Sequence, residues 1–436
     1  MPGGIEGSET LSSDVDLISY SYTMFNNFSR PDAVIRPSNP DEVSSILKTL
    51  SEERKKVFIR GSGTSFVGCP AEGGVLIETR RMNEILEVDE EDLTATVESG
   101  VQIGHLLKKL PSDIFFPIDP DGLSLSTFGG IIAEDSASPL SLAYGTAGNT
   151  LLGLEVVLPD GSLMELGSTT IGARGIESLF IGTEGSLGVI TKVKIRLYRR
   201  PERLLLYEID VPHVEDAIEM YSLADISGIP LLGFEFYYRD MFELGGKEVN
   251  MGSRVHMLVK SPPKEEVIHE KIKSIAEIEG ALKIDVEEYN PMLLPRWRGR
   301  EYLIEGLKST GRTVSFISFT VPRDSIFEAI SRVDAIGSRM KLETVTMVNP
   351  SMNWILTGFT YNFADEKEMK RAERALKMAI NQLSEIQAIF GFGTGTGTNM
   401  AGLKLRSLDN RELFEKVKKC IDPNFVMNPI FTSKEE

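Results

Sequence analysis

Cysteine, histidine and positive charge are all in short supply in this 436-residue chain. Its two cysteines, Cys69 and Cys420, exclude a disulfide framework. They also exclude an iron–sulfur cluster held by this chain alone, which needs about four ligands. The four histidines, His105, His213, His256 and His269, stand far apart, and no HExxH occurs, so no histidine-built metal site is expected. No apolar run reaches the roughly 20 residues that span a bilayer, so no membrane span is expected. The opening MPGGIEGSETLSSD lacks a basic stretch followed by an apolar one, which argues against a secretory signal and for a cytoplasmic address. A net charge of −17 would repel a phosphate backbone, so nucleic acid is not an expected partner. The one basic cluster, Lys192, Lys194, Arg196, Arg199 and Arg200, alternates along an apparent strand and reads as a solvated strand face.

What is present is ordinary globular material, 41% hydrophobic and 25% charged, in a chain long enough for two domains. In the first half Asn39 can cap a helix with Pro40 at its first position, and Val43, Ile46, Leu47 and Leu50 share one face. Short strands follow: VFIR (57–60), then GVLIET, ILEVD and TATVESG after a glycine loop. GLEVVL and SLMEL are joined by the turn Pro159-Asp160-Gly161. The alternation from Val189 to Leu197 predicts a strand with one wet face.

The second half changes rhythm. Strands at 204–211, 231–238 and 254–260, helices at 213–227 and 264–279, and strand ALKIDVEE give the order βαββαβ. The order recurs in VSFISFTV (314–321), a helix at 324–339, ETVTMV, NWILTGFTY and a helix at 365–386. Two similar halves forming one antiparallel sheet, with helices on one face, are expected. The segment NPMLLPRWRGREYLIEG between them reads as helical. The expected division is an N-terminal extension (1–26), a first domain (27–200), a second domain (201–390), and a C-terminal segment (391–436) too short for its own core, which packs back on the rest.

Arg60, Gly61, Ser62, Gly63, Thr64 and Ser65 follow a strand. Glycines here let backbone N–H groups converge on phosphate oxygens, and Thr64 and Ser65 add hydroxyls. A Rossmann loop would open a helix, but Pro70, Gly73 and Gly74 interrupt and a strand comes next. A P-loop is excluded at 397–402, where Lys404 comes one position late. Three more small-residue loops lie around Ser126–Gly130, 133–145 and 184–191. Together they suit one long ligand threaded past backbone amides, such as a dinucleotide.

These blocks carry a resemblance. IRGSGTS, FPIDPDGLSLSTFGG, LAYGTAGNTLLGLEVVLPDG, SLFIGTEGSLGVIT and DPNFVMNP resemble, in order, the FAD-linked oxidases of the vanillyl-alcohol-oxidase fold, in particular glycolate oxidase flavin subunits and D-lactate and other D-2-hydroxyacid dehydrogenases. The resemblance is dense over 27–200, looser beyond, and returns at the tail. It implies an α+β protein: an FAD-binding domain of two small α+β subdomains, and a cap domain whose antiparallel sheet is a duplicated split βαβ. It implies that residues 60–65 hold the pyrophosphate. Pro117, Asp119, Thr127, Gly129, Gly130, Asp135, Ser136, Ser138, Tyr144, Gly145, Glu184, Gly185, Gly188, Ile190 and Asn428 would complete the FAD site. Relatives that bind FAD covalently through this loop have a histidine where Thr64 stands, so FAD is expected to be non-covalent. Cys69, just past the loop, reads as a packed residue.

The sequence departs from the family where substrate is handled. The family's GDGNLH-like block falls on 349–354, its EHGIG-like block on 398–402, and an acid before the VPR segment becomes Ser318; no histidine follows His269. No metal is expected, and the base that takes the hydroxyl proton is unknown, with Glu301, Tyr302 and Tyr361 unranked candidates. PRWRGREYLIE resembles the segment whose arginine meets a substrate carboxylate, which points to Arg300 first and Arg298 second. The expected function is an FAD-dependent dehydrogenase taking hydride from a small hydroxylated, anionic substrate. That substrate would be a 2-hydroxyacid such as glycolate or D-lactate, or a related polyol or phosphorylated alcohol. A partner subunit or quinone would accept the electrons, within an oligomer. The alternative is an FAD-binding but catalytically degenerate subunit of a glycolate-oxidase-like complex.

Overall fold

Asn39 opens the first long helix by accepting a hydrogen bond from the Glu42 amide at 2.9 Å, with Pro40 at the first position. The helix runs Pro40–Glu52 and buries Val43, Ile46, Leu47 and Leu50, the stripe that its period dictates. In the computed structural model this stripe packs on Ile35, Val57, Val75 and Ile77. Each such apolar side chain contributes roughly 1.5–3 kcal/mol on burial. The structure describes residues 8–21, 29–65, 71, 73–118, 120, 124–167, 175–244, 251–261, 265–290, 298–390 and 408–429; at 240, 244, 298–302 and 408–411 it describes the backbone alone.

The chain divides into two compact units. The first comprises residues 1–137, 146–199 and 393–436. It contains a four-stranded sheet of β1 (Glu9–Leu11), β2 (Ala33–Arg36), β3 (Val57–Arg60) and β4 (Val75–Glu78), in the order β1-β2-β4-β3. The last three are parallel, and β1 adds antiparallel to β2. The N-terminal segment therefore supplies an edge strand, which the sequence reading had left as an extension. A second, antiparallel sheet has β5 (Ile85–Asp89), β6 (Thr94–Glu98), β8 (Leu151–Val157), β9 (Leu163–Gly167) and β10 (Val189–Arg196), ordered β5-β6-β10-β8-β9. A small ribbon pairs β7 (Ile114–Phe115) with β11 (Tyr198–Arg199). In β10 Val193 and Ile195 are buried while Lys192, Lys194 and Arg196 are half-buried, the alternation of a strand with one wet face.

The second unit comprises 138–145 and 200–392. It is built on one antiparallel sheet of eight strands: β12 (Leu204–Val211), β13 (Leu231–Tyr238), β14 (Ser253–Lys260), β15 (Lys283–Tyr289), β16 (Thr313–Thr320), β17 (Thr344–Asn349), β18 (Trp354–Tyr361) and β19 (Ile389–Phe390). Their order is β15-β12-β14-β13-β17-β18-β16-β19. Numbered within each half, this reads 4-1-3-2 and then 2-3-1-4. The two βαββαβ halves thus meet through their second strands, Phe236 opposite Val348 and Tyr237 opposite Met347, as a duplication about a twofold axis would place them.

Helices Val214–Ile226 and Glu265–Ile278 cover one face of the first half, where Tyr221 meets Phe234 edge-on at 5.1 Å. The opposite face is not bare, contrary to the expectation of helices on one face only. Helix Asp240–Leu244 packs there, with Phe242 against Tyr237. Segment 138–145 also lies there: a Cβ on Gly233 would stand 2.1 Å from the Pro139 carbonyl. The sequence reading had put this segment in the first domain; it clusters with the second because Gly233 lets its backbone lie against β13. Among the described residues, no helix is long and apolar enough to cross a membrane.

Candidate cofactor site

The glycine loop leaves the end of β3 within the first unit. A Cβ on Gly61 would lie 2.1 Å from the Thr127 hydroxyl oxygen, and one on Gly63 would lie 2.3 Å from the Arg60 guanidinium, at a left-handed φ of +70°. Glycine is required at both, because two chain segments and a folded-back arginine share that space. Arg60 also stacks on the Tyr20 ring at 5.4 Å, a contact no sequence pattern announces. Burial and the Glu78 carboxylate hold the Tyr20 phenol above its ordinary pKa.

Three further segments converge on this loop. Thr64 Oγ1 and Ser126 Oγ share a hydrogen bond at 2.9 Å. Thr127 precedes helix Phe128–Glu134, whose Gly129 packs so closely on Ser99 that a Cβ would sit 2.7 Å away. Glu184, at φ +51°, donates its amide to the Ala133 carbonyl at 2.8 Å, and Gly185, at φ +74°, presses on Ile59. The tail closes the arrangement. Asn428 donates its side-chain amide to the Glu184 carbonyl at 3.0 Å and its backbone amide to Val57 at 2.7 Å.

A fully buried lysine holds that tail. Lys418 Nζ donates to the Ser186 and Met427 carbonyls, each at 2.5 Å, and to Asp422 at 2.6 Å. Asp422 in turn accepts the Val426 and Met427 amides. Burial lowers the Lys418 pKa, and Asp422 opposes that shift.

The glycine loop and the segments at 126–134 and 183–190 wall a cleft that opens to solvent. Of the residues expected at the cofactor, Arg60, Gly61, Ser62, Gly63, Thr64, Ser65, Thr127, Gly129, Gly130, Glu184, Gly185, Gly188 and Ile190 line it. Pro117, Asp135, Ser136 and Asn428 lie in the same unit but outside the cleft wall. Asp135 instead accepts the Gly148 amide at 2.9 Å. Ser138, Tyr144 and Gly145 belong to the second unit. Asp119 and Cys69 fall outside the described residues. The sequence reading named the segments holding Ser126, Ala133 and Glu134 without singling these residues out, and missed Ile59, Thr79, Ile131 and Thr183. Glu134 is the unexpected one: burial pushes its carboxyl up to about 7, with the Glu184 charge adding to the shift and hydrogen bonds from Ser65 and Ser136 opposing it.

The cleft fits a phosphate-bearing dinucleotide on two observations. Its glycines, Gly61 against Thr127 and Gly63 against Arg60, let the loop backbone turn more tightly than any Cβ would allow. Beside it the buried Thr127 hydroxyl, Ser186 hydroxyl and Asn428 amide oxygen find no hydrogen-bond partner among the described residues.

The second unit carries its polar groups differently. The Trp354 indole donates to Ser318 at 2.7 Å, both residues being buried. Thr346 and Thr357 pair at 2.7 Å. Register also brings Glu208, His256 and Glu235 side by side on three neighbouring strands. His256 lies 3.0 Å from Glu208 and 3.8 Å from Glu235, and Tyr237 donates to Glu235. Burial alone would lower the His256 pKa; the two carboxylates outweigh it and hold the pKa above its ordinary value. Among the described residues, no group is arranged to hold a metal ion. Tyr361, one candidate base, is buried and its pKa raised by that burial. Arg298, Arg300, Glu301 and Tyr302 lie on helix Arg298–Thr310, where only backbone is described, and 398–402 lies outside the described residues.

Cleft and fold together define an FAD-binding oxidoreductase. Residues 31–167 match the FAD binding domain model and 200–430 match that of the FAD linked oxidases, C-terminal domain; the chain belongs to the FAD-linked oxidases. It is similar to the glycolate oxidase subunit GlcD of Bacillus subtilis, at 29% identity over 98% of this chain and 94% of that protein. It is also similar to the D-lactate dehydrogenase of Archaeoglobus fulgidus, at 29% identity over 91% of this chain and 90% of that protein. Among solved structures, p-cresol methylhydroxylase superposes with a TM-score of 0.80 at 16% identity, over 97% of this chain and 93% of that one, which shows the shared fold. FAD is the cofactor, and the chain is an FAD-dependent oxidoreductase of the glycolate oxidase and D-lactate dehydrogenase type.

Proposed function

We propose that the chain holds FAD non-covalently in the first unit's cleft and oxidises a small 2-hydroxyacid, or a closely related anionic alcohol, such as glycolate or D-lactate. The observation that carries the binding half is the cradle itself, with Gly61 and Gly63 at its floor and the unpartnered Thr127 hydroxyl beside it. Thr64 has no nitrogen with which to bond the flavin. Arg60 and residues 61–65 would hold the pyrophosphate; Glu184, Gly185, Gly188 and Ile190 would flank the rest of the ligand. Bound FAD supplies the hydride acceptor. The chain must then hold the substrate carboxylate, for which Arg300 is the first choice and Arg298 the second, and receive the hydroxyl proton. The names of the relatives support the substrate class. A partner subunit or a quinone would reoxidise the flavin, and a cytoplasmic, oligomeric enzyme belongs to the same reading.

Anaerobic addition of glycolate, D-lactate and a panel of sugar acids, polyols and phosphorylated alcohols tests it. Bleaching of the flavin spectrum by a 2-hydroxyacid is expected, and Arg300→Met should raise the substrate concentration needed. A protein that cannot be loaded with FAD would overturn the binding half. One observation favours a second reading, a degenerate FAD-binding subunit: the Trp354–Ser318 pair offers no titrating group where the family carries a histidine and an acid. Flavin left unreduced by the whole panel, with a copurifying partner, would support it.

A further inference from the structure

The cleft wall is poor in positive charge for the ligand it accepts. Arg60 is the only cation among its described residues, while Glu134 and Glu184 are both acids. Arg60 is also shared, because its guanidinium stacks on Tyr20. The pyrophosphate of FAD brings two negative charges. With both glutamates ionised, the loaded cleft would hold four negative charges against one positive. Loop amides donate hydrogen bonds but do not change that count.

The relief lies in the position of Glu134. It is the last residue of helix Phe128–Glu134, facing the cleft, and its carboxyl hydrogen-bonds Ser65, the end of the phosphate loop, and the Ser136 hydroxyl. Asp135 next to it is turned away by its left-handed φ of +53° and is occupied by the Gly148 amide. Glu184, from the loop on the other side, is the charge that faces Glu134 and opposes its ionisation. Arg60 is the remaining charged group among the described residues of the wall.

We propose that FAD enters this cleft together with one proton, which Glu134 keeps while the cofactor is bound. This rests on the FAD site proposed above and adds its regulation. The carboxyl presents an O–H instead of a charge to the bound anion, and retention of cofactor becomes sensitive to pH near neutrality. The sign follows from linkage. A ligand that requires the protonated acid binds tightest below the acid's pKa and weakens as pH rises through it, up to tenfold per unit. With the Glu134 carboxyl at about 7 in the free protein, the loss falls between neutral and mildly alkaline pH.

Full-length protein stripped of FAD and titrated with FAD at pH 6 and pH 8.5, by flavin fluorescence and by calorimetry in buffers of different ionisation enthalpy, tests this. The wild type should bind more than tenfold more weakly at the higher pH and take up close to one proton per FAD there. Glu134→Gln should bind with little pH dependence and no proton uptake. FAD binding without proton exchange, or an unchanged pH slope in Glu134→Gln, overturns the inference while leaving the FAD site intact. No binding by the wild type at either pH removes the site itself. Should the variant fail to fold, the wild-type proton count alone decides.

Discussion

The cleft of the first unit and the sheet interior of the second differ in where several of their polar side chains find partners. In the cleft, the Thr127 hydroxyl has no partner among the described residues, and Gly61 packs directly against it. In the sheet, Trp354 is satisfied by Ser318, Thr346 by Thr357, and His256 lies between two glutamates. An unpartnered buried group costs stability in the empty protein and is worth keeping where a ligand completes it. A self-paired group serves the fold. Changes in the sheet should therefore move stability with little effect on cofactor affinity, and changes in the cleft should do the reverse.

His256→Ala is the severest test on the sheet side. It leaves Glu208 and Glu235, the latter with its own pKa raised by burial, without the imidazole between them and should cost about 3 kcal/mol in chemical denaturation, with FAD affinity per folded molecule unchanged. Because the folded-state pKa of His256 is raised, its contribution is fully present below the pKa of an ordinary imidazole and is lost as pH rises through the raised value. The gap between wild type and variant should accordingly narrow at alkaline pH.

Gly61→Ala is the counterpart in the cleft. Its Cβ collides with the Thr127 hydroxyl and displaces the loop, so FAD affinity should fall on the order of 10- to 100-fold, roughly 1.4–2.8 kcal/mol. Equal losses of affinity in Gly61→Ala and His256→Ala would end the distinction between the two regions. Trp354→Phe removes one buried hydrogen bond and should cost about 1 kcal/mol of stability, leaving FAD binding alone. Thr127→Val is the mildest and the most discriminating. Removing a buried hydroxyl that has no partner should leave apoprotein stability level or slightly higher, while FAD titration shows weaker binding. A stability loss of more than about 1 kcal/mol would mean that the hydroxyl has a structural partner.

Much of this was legible in the chain because it is local. The stripe on helix Pro40–Glu52, its Asn39 cap and the alternation of β10 are set by residues within a few positions of one another. The recurrence of βαββαβ was visible as element order. The meeting of the halves through β13 and β17 was not, since strand pairing across more than a hundred residues leaves no periodic mark. Glu134 was passed over for a related reason: an acid followed by another acid at a helix end reads as solvated surface. Lys418, in the run KVKK, reads the same way, yet the returning tail buries it completely. Glu208, Glu235 and His256 each interrupt apolar positions of a strand, and alternation by itself would turn them to water.

The sequence by itself determined the glycine loop, the absence of a histidine at Thr64, the family, and the absence of any histidine after His269. These are matters of residue identity, and no folding changes them. Tertiary structure decided which polar groups would be ligand-facing and which self-paired. It placed Glu134 against the glycine loop, closed Trp354 on Ser318, and brought His256 between two glutamates. Burial, charge and pairing depend on neighbours far away in the chain, and only the folded backbone brings those neighbours within hydrogen-bonding range.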